Sequence, residues 1–475
     1  MSLLIKGVQV VDGAGSQPYK ADVLIQKKII SAIGDLKRRR AQKEIDGLGN
    51  YLAPGFIDVA GSPDHYLTLF SDPAQSSSTS QGVPTVIGGQ DGASLAPLIY
   101  GTLESIRKWA DPGEVNVNWH TVAEFLKTLE RVPLGVNFGT LVGHGTVRRV
   151  FVHGKNRRLT SKELAVFKKV LRDSLREGAF GFSSGLGYAH GRGALPAEMK
   201  TLVKETARSG GIYAARLRDI GEDLLASVKE IIKVAKETGA KTIVTGFRPT
   251  QGQEEQFEEA LKLLEKSTAK ASVYFALCPH PVTTTAIYTL LPQWAQKDDL
   301  ETMLEIINDK KLSSQVKNEW QGLSVEKIKL VAAPHHPYLI GRKVTDADDL
   351  IELMIATGLR AAVECPDINQ ELLAGALTKS QALIASEGAM RDDTFPRYLE
   401  LAIKSEKMPI ERAIKKITSD AASCFDIKRR GRIKERSIAD LVIIGKNDYE
   451  IKQTILGGKV VGEERARGEI LRHKR

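Results

Sequence analysis

Few residue clusters in this 475-residue chain have the spacing of a chemical site. Cys278, Cys365 and Cys424 lie far apart with no CxxC pattern, so neither a disulfide framework nor a thiolate zinc site is indicated, and they read as small buried hydrophobes in a reducing compartment. His335 and His336 are adjacent in VAAPHHPYL, after an apolar run that reads as a strand. Neighbours on an extended chain point opposite ways, so at most one of them can face a site. GLGYAHGRG is glycine-rich but lacks the Lys-Ser/Thr ending that lets a phosphate loop hold a nucleotide. The basic runs Lys37 to Arg40 and Lys428 to Arg432 have no aromatic interleaving, so they read as solvated loops and not as a nucleic-acid face.

The elements that must position any site fall into two kinds. Residues 1–51 alternate short β-type runs with turns, and residues 426–475 do the same, with ADLVII and IKQTIL as strands and GGK as a hairpin. Both termini are therefore expected to build one small β-sandwich domain. Residues 52–425 repeat an apolar run, a loop and an amphipathic helix; candidate strands are GFIDVA, VPTVIGG, LVGHG, FGFSSG, GIYAAR, TIVTGF, ASVYFAL, IKLVAA, LRAAVE and ALIAS. SKELAVFKKVLRDSLREG opens on Thr160 or Ser161 with Glu163 following and stops at Gly178, and DLLASVKEIIKVAKETG closes on Gly239. Roughly eight such units, with no dinucleotide fingerprint, predict an α/β fold of the TIM-type (β/α)8 barrel kind. Residues 284–322 read as helix after helix, a helical insertion at one barrel loop.

Chemistry in such a barrel sits at the C-terminal ends of the strands. There, PGFIDVAGSPDH (54–65), QGVPTVIGGQDG, LVGHGTVR, LREGAFGFSSGLGYAHG, GIYAARLRD, ASEGAMRDDTFPR and GRIKERSIADLVII stand in order, followed by the closing GGKVVGEERARGEILR. Together these motifs resemble the N-acyl-D-amino-acid deacylase (D-aminoacylase) family of the amidohydrolase superfamily, nearly from end to end. The resemblance implies a hydrolase fold acting on non-peptide amide C–N bonds, with zinc as cofactor.

The departures from that family bear on its chemistry. Its two metal-binding histidines fall on Ala60 and Ser62, and its bridging cysteine on Asp91. Its Thr-His-Met-Arg motif is here Ala215-Arg216-Leu217-Arg218, so a permanent cation replaces a ligand. Its next histidine falls on Gly246 or Phe247, and its catalytic aspartate on Glu387. No family-type zinc site is expected from this set, because each lost ligand weakens a metal severely. Asp91, Arg216 and Glu387 are expected instead to converge as a replacement cluster at the former metal centre, with Arg216 holding both carboxylates ionised. Arg248, Arg391 and Tyr188 match positions that bind substrate in the family, two of them apt for a carboxylate. Asp64 and His65, with Asp91 and Glu387, offer a rearranged zinc site as an alternative, and Glu387 with His65 a metal-free acid/base pair. His144, in LVGHGTVR, reads as a structural histidine near the barrel rim.

The main expectation is thus a ligand-binding relative, a pseudoenzyme of the family without its zinc chemistry. The alternative is an active hydrolase of N-acyl amino acids using a rearranged metal or no metal. A small carboxylate-bearing ligand such as an N-acyl amino acid is the expected partner, with no membrane and no nucleic acid. Lys and Arg number 68 against 58 Asp and Glu, a net +10. That is about two excess charges per hundred residues, which supports a basic scaffold for a polyanion only weakly. The opening MSLLIKGVQVVDG has no long apolar run, so a soluble, cytoplasmic protein is expected.

Overall fold

A computed structural model describes residues 2–473 apart from 100–102, 153–156, 268–271, 298, 389–390, 405–406 and 463–465. Parts of ASEGAMRDDTFPR and of the closing GGKVVGEERARGEILR therefore lie outside the described residues. No helix among the described residues is long and apolar enough to cross a membrane.

Eight parallel strand positions follow one another around a barrel: Ile57–Asp58, Thr85–Gly88, Asn137–Thr140 continued by Val142–Gly143, Gly181–Gly185, Ile212–Arg216, Thr242–Thr245, Val273–Leu277 and Ala382–Ile384. The last meets the first through Glu387 N–H donating to Ala60 O at 3.2 Å and Ser386 N–H donating to Asp58 Oδ1 at 3.2 Å. Most of these strands are buried at every position, because helices cover the outer face while side chains fill the interior.

The covering helices start and stop where the sequence demands. Ser161–Arg176 begins with a capping box in which Thr160 and Glu163 each accept the other's backbone N–H. Leu224–Thr238 ends at Gly239, whose φ of 71° suits glycine best. At the other extreme of the barrel, strands from both ends of the chain pair in one eight-stranded sheet: Tyr51–Pro54 lies between Ser2–Val10 and Leu441–Ile444. Its core holds Leu3, Ile5, Val23, Ile25, Leu441 and Ile455.

Two sequence expectations need correction. IKLVAA and LRAAVE are not barrel strands: Lys329–Ala332 and Ala362–Cys365 pair antiparallel in a separate three-stranded sheet. Its third strand, Thr283–Ala286, lies at the start of the stretch 284–322 that reads as purely helical. The insertion between the last two barrel strands is therefore mixed, its helices Leu300–Asn308 and Lys310–Glu319 accompanied by a sheet. Helical periodicity downstream masks four buried residues of type TTTA, too short to carry a pattern of their own.

Candidate functional site

Arg216 is the last residue of the strand Ile212–Arg216, so its side chain leaves the sheet at the barrel mouth. Its guanidinium packs against Gly246, where a Cβ would stand 3.3 Å from Arg216 Cγ. Arg216 Nη1 donates to Asp91 Oδ2 at 3.2 Å. Asp91 sits on a turn pressed onto the neighbouring strand so closely that a Cβ at Gly185 would come within 2.2 Å of the Asp91 carbonyl. Arg248 Nη2 donates to Glu387 Oε2 at 2.8 Å, and Gly246 N–H donates to Glu387 Oε1 at 3.2 Å.

The mouth therefore holds two separate guanidinium–carboxylate pairs, Arg216 with Asp91 and Arg248 with Glu387. All four residues are between 3% and 6% exposed. Both carboxylates are carried on left-handed backbone, with φ of 55° at Asp91 and 34° at Glu387. Non-glycine residues take that conformation at a cost, and it concentrates where a structure aims a functional side chain.

The assignment of both carboxylates to Arg216 needs revision: the guanidinium bound to Glu387 is that of Arg248. Burial raises the Glu387 pKa above its usual range, with Arg248 and Arg216 opposing and Asp91 adding to the rise. Glu387 is thus not simply held ionised. Burial alone would lower the Arg216 pKa, but Tyr188, Asp91 and Glu387 outweigh it and the net shift is upward. Arg216 stays a cation at any accessible pH.

Tyr188, just before the short helix Ala189–Arg192, covers this centre: Arg216 Cζ lies 5.0 Å from its ring centroid. A residue that sequence reasoning missed completes the cover. Lys108 is 6% exposed, its Nζ 3.6 Å from the Trp109 ring centroid and 4.6 Å from that of Tyr188, and it donates to Ser105 O at 2.8 Å. Burial pushes the Lys108 pKa well below that of an ordinary amine, with Arg149 and Arg216 lowering it further and Asp91 opposing. The only hint in the sequence was an aromatic beside a lysine in IRKWA, a pattern common on ordinary surfaces.

The remaining candidates form no hydrogen bond with Asp91, Arg216, Arg248 or Glu387. Arg391 pairs with Glu364, on the middle strand of the insertion sheet. Asp64 Oδ2 accepts Gly89 N–H at 2.7 Å, and His65 stacks on Trp109 at 4.1 Å with Nε2 3.1 Å from Ala93 O. Neither joins Asp91 and Glu387 in a ligand set, and Glu387 has no hydrogen bond to His65. His144 is buried with Nε2 2.8 Å from Glu198 Oε1, which also accepts from Arg148 Nε at 3.1 Å. Its ring packs between Phe167 and Phe182. His335 and His336 follow the insertion strand Lys329–Ala332, not a barrel strand, and His335 Nδ1 lies 3.5 Å from Asp111 Oδ2.

Ala60 and Ser62 are buried beside the closing strand, and a methyl group offers a metal nothing. Among the described residues no three His, Cys, Asp or Glu side chains gather as a metal would require. The two carboxylates at the centre each carry a guanidinium, and a dication there would meet Arg216 and Arg248 directly. This donor set does not fit zinc.

The amino-acid pattern of the amidohydrolase family matches residues 197–461. The chain is 28% identical over 452 residues to a D-aminoacylase of Alcaligenes xylosoxydans xylosoxydans, covering 93% of this chain and 87% of the relative. It is 26% identical to an N-acyl-D-glutamate deacylase of the same organism, again over 93% and 87%. Its fold is similar to that of N-acyl-D-glutamate deacylase from Bordetella bronchiseptica, solved with zinc and a phosphonate inhibitor, with a TM-score of 0.83 at 21% identity and 99% coverage of both chains. A crystal structure of D-aminoacylase gives a TM-score of 0.83 at 22% identity, also over 99% of each chain. The chain belongs to the amidohydrolase family, and its similarity to D-aminoacylases extends over nearly its whole length.

Proposed function

We propose that the chain binds a small carboxylate-bearing amide of the N-acyl amino-acid kind at the barrel mouth, and has left behind the zinc-dependent hydrolysis implied by its resemblance to the deacylases. The observation that carries this reading is the pair of buried arginines, Arg216 and Arg248, each facing one carboxylate at the centre. A guanidinium offers a fork of donors to a ligand carboxylate, and a partner already in place keeps it aligned until a ligand exchanges for it. Similarity to enzymes named for N-acyl-D-amino acids supports the ligand class.

A second reading has its own support. Lys108, with its lowered pKa, lies near Asp91 and Arg216, and a neutral amine beside a fixed cation could take a proton from water while the cation steadies the developing oxyanion. That arrangement would make the chain an amide hydrolase working without the family's metal, and the near full-length match to a D-aminoacylase favours retained hydrolysis.

Metal content of the purified chain, measured together with binding and turnover of N-acetyl-D-amino acids with and without added Zn2+, separates the readings. Saturable binding without turnover supports the first. Turnover that persists in chelator and is lost in Lys108→Met supports the second. One equivalent of zinc, with turnover abolished by Glu387→Gln, would overturn both.

A further inference from the structure

A crevice of about 10 Å3 opens at the seam where the last barrel strand meets the first. That is room for about one occupant the size of a water molecule. Its wall carries Asp58 together with the serines Ser62, Ser77, Ser78 and Ser386.

Asp58 is 5% exposed, and every group that donates to it is neutral. Oδ1 accepts the Ala60 N–H at 3.1 Å and the Ser386 N–H at 3.2 Å, and Oδ2 accepts the Ser386 hydroxyl. It forms no ion pair among the described residues, and the Glu387 charge that acts on it has its own sign. A buried carboxylate without a counter-charge is costly, and it is relieved either by a proton or by a cation. With its pKa raised by burial only to about 6, Asp58 is still largely ionised at neutral pH and its charge is unmatched.

The oxygens around it favour the cation. A Cβ on Gly61, another wall residue, would stand 3.1 Å from Asp58 Oδ2, so that oxygen lies along the same wall. Ser62 is 3% exposed, and its Oγ is not fully enclosed and forms no hydrogen bond with a described residue. The hydroxyls of the half-buried Ser77 and Ser78 form none either. The other donors of the wall are engaged. Ser386 gives its proton to Asp58 and keeps its lone pairs, while Gln81 Nε2 donates to Ser77 O at 2.8 Å and Arg391 O at 2.7 Å. The Arg391 guanidinium, also on this wall, is paired with Glu364. One carboxylate among hydroxyl oxygens is the ligand set of a hard cation and not of an anion.

We infer that the crevice is a binding site for a single monovalent alkali cation, held by Asp58 Oδ2 and the hydroxyls of Ser62 and Ser386, which fastens the barrel seam. One formal charge on the wall matches one on the ion. Magnesium keeps several of its waters and calcium takes about six to eight oxygens, for which a space of this size has no room. The site is independent of whatever ligand the barrel mouth receives.

Thermal unfolding of the full chain at neutral pH in sodium, potassium or choline chloride of equal ionic strength tests it. Sodium or potassium should raise the midpoint saturably, by about 2 °C or more over choline, because an ion that binds only the folded chain stabilises it. Asp58→Asn should abolish the response. Ser62→Ala removes a hydroxyl that has no partner in the fold, so it should leave the midpoint in choline unchanged and raise the half-saturating sodium concentration about tenfold. That variant decides the matter even where Asp58→Asn does not fold. The sodium NMR resonance should be broadened by the parent, with the broadening reversed by potassium and not by choline. Equal midpoints in the three salts would mean that the crevice holds water only and would overturn the proposal. A sodium response in Ser62→Ala identical to the parent's, or saturation by magnesium at lower concentration than by sodium, would overturn it as well.

Discussion

The molecule buries arginine–carboxylate pairs in two places, and they are built differently. Beneath the barrel, Asp440 is saturated: Oδ2 accepts from Arg430 Nε at 2.7 Å and Asn137 Nδ2 at 2.9 Å, and Oδ1 accepts Gly457 N–H at 2.7 Å. Asn137 belongs to a barrel strand and Gly457 to the hairpin turn between the terminal-sheet strands Ile451–Leu456 and Lys459–Val460, so this carboxylate staples one to the other. At the mouth, Arg216 reaches Asp91 through one contact, and Arg248 Nε, Asp64 Oδ1, His65 Nδ1 and Gln90 Oε1 are buried with no hydrogen-bond partner among the described residues. A fully satisfied network holds a fold together, whereas one with spare donors and acceptors is poised to receive something. Similar residue types are thus fully engaged in one place and left with spare donors and acceptors in the other.

Breaking the staple should cost most. Asp440→Ala leaves Arg430 Nε and the Gly457 N–H buried without their acceptor, while Arg430 keeps Glu469 and Asn137 Nδ2 keeps Pro84 O and Thr85 Oγ1, so it should destabilise the chain by about 4 kcal/mol in chemical denaturation. A loss below about 1 kcal/mol would show that the lower network is not structural. Arg216→Met should cost about 3 kcal/mol, because it leaves the Asp91 carboxylate buried and unpaired. The double variant Arg216→Met/Asp91→Leu should recover most of that stability yet still fail to bind N-acetyl-D-amino acids. Full recovery of binding in the double variant would remove the distinction between mouth and staple.

Seven of the eight barrel strands were legible as short runs bounded by loop residues, and the caps at Thr160 and Gly239 are local chemistry. The third was missed in its main part: it runs through Asn137–Thr140, which has no apolar pattern, while LVGHG contributes only Val142–Gly143 before a helix begins at His144. IKLVAA and LRAAVE carry the same signal but belong to the insertion, since a buried antiparallel strand and a barrel strand look alike in hydrophobicity. At the mouth, position along the strand placed Arg216 but could not say which guanidinium reaches Glu387. That depends on side-chain reach across two neighbouring strands. Lys108 was hidden because its burial comes from a loop folding over the barrel, which no periodicity records.

The mouth should also respond to pH through Asp58, which closes the barrel by accepting from Ser386 and the Ala60 N–H. Burial raises its pKa from 3.8 to about 6, its hydrogen bonds opposing and Glu387 adding to the rise. Between those values the folded chain binds the proton more tightly than the unfolded one. Stability from this group is therefore fully present below about pH 4 and is lost as pH rises through about 6. The change is at most about 3 kcal/mol. Denaturation midpoints of the parent at pH 4.5 and 7 should show this fall against Asp58→Asn, in which it should be absent. An identical pH profile in the two proteins would mean that Asp58 is an ordinary carboxylate.

The smallest expected effect sharpens the comparison most, because it separates stability from binding within one ion pair. Arg391 and Glu364 are each about 15% exposed, so their pairing is partly screened and Glu364→Gln should change stability by less than about 1 kcal/mol. Yet Glu364 presents to Arg391 the group that a carboxylate ligand would bring, from a strand of the insertion and not of the barrel. If Arg391 receives the ligand, its own partner competes for the same donors, and removing that charge should tighten binding of N-acetyl-D-amino acids several-fold at nearly constant stability. A fastening would behave in the opposite way, losing stability with no gain in affinity. Titration of Glu364→Gln beside its thermal midpoint therefore decides to which kind of network this third pair belongs.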